Sequence, residues 1–212
     1  MPEELRVGFH RDLEKIDREV VELFGLVGEG LAGATDALLA GDRDAAKALV
    51  ARDALIDEVY RNAEELVHKQ LVLQSPMAND LRFLLCVLRM VPELERSGDL
   101  AEHIAQRAAR GLANELTPRL RGMIEQMGAV DVEMWRAAAD AYVERNPHTA
   151  DTLRERDDEV DDLLVSLTAE LASGVVTLPV AIEVALLGRF YERLGDHAVN
   201  LTERVRYLAT GV

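Results

Sequence analysis

Glu95-Arg96-Ser97-Gly98-Asp99 recurs as Glu192-Arg193-Leu194-Gly195-Asp196, 97 residues later. Working outward, a second acidic stretch stands upstream in each half. Arg52-Asp53-Ala54-Leu55-Ile56-Asp57 recurs as Arg156-Asp157-Asp158-Glu159-Val160-Asp161, 104 residues later. The cap position Asp42 finds its counterpart in Asn146 at that same spacing. Matching motifs in matching order mark an internal repeat of one supersecondary unit. The two spacings differ by about two helical turns, carried by the first half. Two copies are too few for a solenoid, so the chain is expected to stack two units in one body.

Turn and cap residues divide the chain into six expected helices. The first runs from about Glu4 to Ala40 and stops at Gly41. Asp42 caps a second, to about Leu73. Ser75-Pro76 breaks the chain before a third, to about Arg110. Thr117 and Pro118 open a fourth, to about Arg145. Asn146-Pro147 opens a fifth, ending near Ser173-Gly174. Pro179 begins a sixth, to about Ala209. The fold class is therefore all-α: two tandem, sequence-related three-helix bundles forming one elongated six-helix body, with units at 1–114 and 115–212. Helices of this length reach roughly 45 Å at 1.5 Å per residue.

Composition agrees. The chain is 49% hydrophobic, enough for a core, and only 4% aromatic, which favours helix over a β-sandwich. The formal net charge of −15 argues against nucleic acid and anionic membrane as direct partners, since both need a basic footprint. A single cysteine, Cys86, sits in an apolar run and reads as a buried, inert thiol. The charged N-terminus lacks a signal-peptide core, and the apolar stretches near Phe83–Val91 and Val175–Leu187 are short or interrupted. A cytoplasmic location is expected.

Where the acids fall is more informative. The second helix carries an apolar stripe Leu49, Asp53, Ile56, Tyr60, Ala63, Val67, and the fifth Leu153, Asp157, Val160, Leu164, Leu167, Leu171. Both step by fours and threes, a heptad seam with an aspartate inside it. Asp57 and Asp161 follow one turn on. The third and sixth helices place Glu95 and Glu192 in their seams, with Asp99 and Asp196 one turn on. Gly98 and Gly195 remove bulk beside those acids, allowing a helix or ligand to approach closely.

A carboxylate in a helix seam must be compensated. Two means are open. Arg52, Arg156, Arg96 and Arg193 repeat as faithfully as the acids and could pair with them. Alternatively, facing i, i+4 acid pairs could hold cations, and all-oxygen ligands suit magnesium, calcium, manganese or ferric iron.

At these residues the sequence resembles the PhoU family of phosphate-signalling regulators. The resemblance covers nearly the whole chain. It rests on Gln74-Ser75-Pro76-Met77-Ala78-Asn79-Asp80-Leu81-Arg82, on Leu88-Arg89-Met90, on Glu95 through Glu102, and on Glu192 through Asn200. It implies two similar three-helix bundles whose E/D-x-x-x-D motifs bind metal: iron or zinc in some members, manganese or magnesium in others. The implied ligands are Asp53, Asp57, Glu95 and Asp99 in the first unit and Asp157, Asp161, Glu192 and Asp196 in the second. It also implies a homodimeric regulator rather than an enzyme, one that represses phosphate uptake and the phosphate-starvation response. Such a regulator acts between the ATPase subunit of the high-affinity phosphate transporter and a phosphate-sensing histidine kinase, and reaches the membrane only through them.

The sequence departs from strict repetition at three places. His103 stands opposite Asn200, which is the residue usual in the family, and Glu102 stands opposite Val199. Pro92 has no proline counterpart and is expected to bend its helix one turn before Glu95. Glu65-Leu66-Val67-His68 is a single E-x-x-H, where a di-iron oxidase needs two, so His68 reads as a surface residue. Trp135 is expected to pack between helices. The competing functional classes are a carboxylate-bridged metalloenzyme, which requires an open coordination position and a substrate pocket, and a metal-free helical adaptor whose seam acids pair with arginine.

Overall fold

Every expected helix forms, and one of them is divided. The computed structural model describes residues 3–211, with side chains from residue 8 onward. Met1, Pro2 and Val212, at the outer limits of the two expected units, lie outside the described residues. The helices are α1 (Glu3–Ala40), α2 (Arg43–Val50), α3 (Asp53–Gln74), α4 (Ala78–Arg110), α5 (Pro118–Glu144), α6 (Thr149–Ala172) and α7 (Leu178–Thr210), with a 3-10 turn at Leu112–Glu115. No strand occurs among the described residues.

Local chemistry explains the boundaries. The Asp42 carboxylate accepts from the amides of Asp44 and Ala45 at 3.1 and 3.0 Å, and Thr117 accepts from Leu120 at 3.3 Å. Gly41 and Gly111 take the left-handed conformation that ends α1 and α4. The second expected helix is a correction. It divides at Ala51-Arg52, where Arg52 N bonds Leu49 O and Leu55 N bonds Arg52 O, both at 3.0 Å. This tighter i, i+3 pattern restarts the helix at Asp53 without leaving right-handed geometry. The seven extra residues of the first half lengthen the α3–α4 hairpin: α3 ends at Gln74 and α4 starts at Ala78, whereas α6 and α7 approach their turn sooner. α4 passes through Pro92 unbroken.

Packing follows the seams. α1, α4, α5 and α7 form the centre, through α1–α4, α1–α5, α4–α7 and α5–α7 contacts. α2 and α3 cover α1 and α4 on one side, and α6 covers α5 and α7 on the other. The repeat is visible in the core. Buried Ile16, Val20, Leu23, Val27, Ala34 and Ala37 of α1 match buried Leu120, Ile124, Met127, Asp131, Ala138 and Ala141 of α5, each 104 residues on. One member of the second set is charged.

α1 also corrects the reading of apolar stretches. Between Gly8 and Ala40 it carries a window of mean hydropathy 1.3, long and apolar enough by composition to cross a bilayer. Its apolar face is spent on the protein core, with Ile16, Val20, Leu23, Val27 and Leu31 fully buried.

The halves share one core and are stitched by polar contacts. Thr35 and Tyr191 share a buried hydrogen bond of 2.9 Å, and Tyr142 donates to Asp17 at 2.7 Å. Ser97 donates to the Glu93 carbonyl at 2.6 Å, so its oxygen accepts from Nδ1–H of His197 at 2.8 Å. Trp135 lies buried between helices as expected, its indole N–H donating to Leu194 O at 3.1 Å. Cys86 is buried as expected, and burial pushes its thiol up.

Candidate functional site: two carboxylate sets

Each half gathers its acids where its second and third helices meet. In the first half α3 supplies Asp53 and Asp57, and α4 supplies Glu95 and Asp99; all four are half-buried. Asp53 opens α3, at the end of the helix where free amides favour an anion. In the second half α6 supplies Asp157, half-buried, and Asp161, exposed; α7 supplies Glu192, buried, and Asp196, exposed.

The glycines act as the spacing suggests. A Cβ on Gly98 would stand 2.7 Å from Ile56 Cδ1, so bare backbone lets α3 lie close. A Cβ on Gly195 would stand 2.6 Å from Asp157 Oδ1 and 3.4 Å from Asp131 Oδ1. Bare backbone at Gly195 therefore leaves room for two carboxylates.

The acids feel one another. Asp53 is raised by burial, then by the charges of Glu102, Asp99 and Asp57, and lowered by His103. Glu95 is raised by burial, then by Asp99, Asp57 and Asp53, against a lowering from Arg96. Asp99 is raised by burial, with His103 lowering it and Glu102 and Asp57 raising it. In the second set Asp157 is raised to about 6 by burial, then by Asp196, Asp161, Glu192 and Asp158. Glu192 is raised by burial, relieved by Arg189, and raised again by Asp196 and Asp161. Each set is a mutually repelling group assembled from two helices.

The repeating arginines do not relieve that repulsion by pairing. Arg52 binds Glu29 of α1 at 3.3 Å. Arg156 binds Glu133 of α5, the counterpart of Glu29, and Glu159 at 2.8 Å. Arg96 donates to the Pro92 carbonyl at 2.9 Å. One ion pair reaches a seam acid, Arg189 with Glu192, and Arg189 does not belong to the repeated set. Among the described residues, the other seven acids have no ion pair.

Two carboxylates lie at these sites in addition to the eight. Glu102 lines a small cleft of about 30 Å³ beside the first set, together with Asp53, Arg52, Leu26, Gly30 and Gly98. Asp131 of α5 belongs to the second set. It is wholly buried, and among the described residues neither of its oxygens has a hydrogen-bond partner. Burial, then Asp157 and Glu192, push its carboxyl well above the usual range. Its signal was legible: Leu120, Ile124, Met127, Asp131, Met134, Ala138 and Ala141 step by fours and threes like the other seams.

The donor set fits a hard cation. It is all oxygen, partly dry, in excess of its arginines, and in the second half contains orphaned atoms on Asp131 and Glu192. Among the described residues, no three acidic, imidazole or thiol side chains converge as a ready-made centre. A cation would have to draw the side chains of each set together.

The departure at His103 and Asn200 serves the α4–α7 contact. Asn200 donates to Glu93 at 3.0 Å. The counterparts of that pair, His103 and Phe190, pack as tilted rings with centres 5.3 Å apart, and Arg107 lies 4.6 Å over the Phe190 ring. His68 and Glu65 are exposed, as expected.

Compared with known proteins, the PhoU domain family matches the chain twice, at residues 20–108 and 124–205. Among named relatives, the phosphate-specific transport system accessory protein PhoU homolog 2 of Mycobacterium tuberculosis is 35% identical over 98% of this chain and 99% of its own. The corresponding PhoU homolog of Rhizobium meliloti is 30% identical over 96% of this chain and 87% of its own. Among solved structures, PhoU from Pseudomonas aeruginosa superposes with a TM-score of 0.89 at 29% identity, covering 96% of this chain and all of that one. The phosphate transport system regulatory protein PhoU from Streptococcus pneumoniae gives 0.86 at 25% identity, covering 96% and 98%.

Proposed function

The chain belongs to the PhoU family, and from that premise we propose that it regulates phosphate transport as an accessory protein of the transport system. More finely, it is a cytoplasmic negative regulator of phosphate uptake and of the phosphate-starvation response. It works as a homodimeric, metal-binding adaptor, not an enzyme, between the ATPase subunit of a high-affinity phosphate transporter and a phosphate-sensing histidine kinase. The observation that carries this reading is the match of both repeats to relatives named as phosphate-transport accessory proteins, over nearly the full length of each chain.

The physical contribution of the residues is to hold charge. Asp53, Asp57, Glu95 and Asp99 bridge α3 to α4, and Asp157, Asp161, Glu192 and Asp196 bridge α6 to α7. When bound, iron, zinc, manganese or magnesium would neutralise these acids. Each pair of helices then gains a fixed spacing, and with it a defined outer surface for a partner. The arginine engagement outside the seams favours this reading over a metal-free adaptor, because among the described residues every acid of the two sets except Glu192 is left without an ion pair.

Two measurements test the proposal. Deleting the gene derepresses phosphate-uptake genes in phosphate-rich medium; unchanged expression refutes the regulatory role. Elemental analysis and cation titration of the wild type, Glu95→Ala/Asp99→Ala and Glu192→Ala/Asp196→Ala separate metal binding from regulation. A wild type that takes up no divalent or ferric ion refutes the metal part alone.

A further inference from the structure

The two carboxylate sets exchange one acid for one apolar residue at two repeat-related positions. Asp131 of α5 corresponds to Val27 of α1, and Glu102 of α4 corresponds to Val199 of α7. The register on α1 and α5 is fixed independently by the repeated ion pairs Arg52–Glu29 and Arg156–Glu133, also 104 residues apart. Each set therefore has five carboxylates, differently placed. Glu102 is half-buried at a cleft. Asp131 is fully buried, enters from a third helix, and points its Oδ1 toward the space beside Gly195 that Asp157 Oδ1 also faces.

We propose that Asp131 is a cation-binding residue that makes the second-half set a three-helix, largely enclosed site, binding divalent cations more tightly than the first-half set. This rests on the metal-binding reading above and deepens it. A carboxylate in a dry interior needs a partner for its oxygens, and Asp131 has none among the described residues. Glu192 leaves one oxygen, Oε2, in the same condition. A cation seated among Asp131, Asp157 and Glu192 satisfies both. Ligands from α5, α6 and α7 tie three helices where the first set ties two. With five carboxylates in each set, the more enclosed and more rigid one binds hard cations more tightly. Asp161 and Asp196, exposed at the rim, mark the open side of the site.

The test is Mn²⁺ titration of the full chain by calorimetry, with thermal unfolding followed in parallel with and without Mn²⁺. The wild type shows one tight and one weak class of sites. Asp131→Asn, close to isosteric, weakens the tight class about tenfold or more and leaves the weak class in place. It also loses most of the Mn²⁺-induced rise in Tm. Glu192→Gln/Asp196→Asn removes the tight class, and Glu95→Gln/Asp99→Asn the weak one, so the assignment stands or falls even if the Asp131 variant folds poorly. Unchanged tight binding in Asp131→Asn overturns the inference and makes Asp131 a buried neutral acid. Loss of the tight class on changing Glu95 and Asp99 overturns it as well. A wild type that binds no Mn²⁺ or other divalent ion refutes the metal reading itself, an outcome distinct from both.

Discussion

Replacing Gly195 by alanine should separate stability from cation binding at the second-half site. The added Cβ would stand 2.6 Å from Asp157 Oδ1, so that oxygen must retreat by about 1 Å to reach van der Waals distance. Asp157 is half-buried and, among the described residues, has no ion pair or hydrogen bond to hold it, so its carboxylate can rotate outward. Alanine also gains about 1 kcal/mol of helix propensity over glycine. The two effects nearly cancel, and the metal-free variant should be as stable as wild type or slightly more so. Its affinity for Mn²⁺ should fall, because the displaced oxygen is one that the site needs. The matched change Gly98→Ala should behave in the opposite way. There the new Cβ meets Ile56 Cδ1 at 2.7 Å and Cγ2 at 3.2 Å. Ile56 is a branched, buried side chain that the new Cβ meets at two carbons, so overpacking should cost about 1–3 kcal/mol. Urea denaturation in chelator measures the first quantity and Mn²⁺ calorimetry the second. A loss of more than about 2 kcal/mol in metal-free Gly195→Ala would show that Asp157 is fixed where it stands. Unaltered Mn²⁺ affinity would show that its carboxylate is not a ligand.

Two pH effects should oppose each other in the metal-free protein. The Asp157 carboxyl is raised from 3.8 to about 6, so its contribution is full below pH 4 and is lost as pH rises through 6. Asp157→Asn should therefore gain on wild type across that window by on the order of 1–3 kcal/mol, read from denaturation midpoints at each pH; a constant difference refutes it. His197 is lowered to about 4, by burial and then by Arg193 and Arg96, so its contribution is present above pH 6.5 and lost as pH falls toward 4. His197→Gln should lose less stability than wild type over that fall, and an identical slope would mean that the ring takes up a proton without cost. Tyr191→Phe leaves the buried Thr35 hydroxyl without its 2.9 Å partner and should cost about 1–3 kcal/mol in urea denaturation. Gly128→Ala drives a Cβ to 2.5 Å from Thr35 Cγ2 across the α1–α5 contact and should also cost about 1–3 kcal/mol. If both latter variants unfold like wild type, the α1–α5–α7 junction is looser than its geometry indicates.

Much of the molecule was legible in one dimension because helices advertise their buried faces. Threes and fours located the seams, caps located the ends, and the repeated acidic stretches located both carboxylate sets. The break at Ala51-Arg52 was not legible, since neither residue is a helix breaker and the backbone remains right-handed through it. Periodicity states which face of a helix is buried, and nothing about what it is buried against. Hence the sequence alone determined the all-α class, the two related units, and the i, i+4 acid pairs Asp53/Asp57, Glu95/Asp99, Asp157/Asp161 and Glu192/Asp196 on or beside the seams; which pair faces which came from the family resemblance. Tertiary packing decided the rest. It sent Arg52 and Arg156 to glutamates on α1 and α5 instead of to the seam aspartates. It placed His103 on Phe190 and Asn200 on Glu93, at the α4–α7 contact. It also brought Asp131 from α5 to the second carboxylate set, while its counterpart Val27 stayed an ordinary core residue, because the partners of a buried charge depend on which helices meet around it.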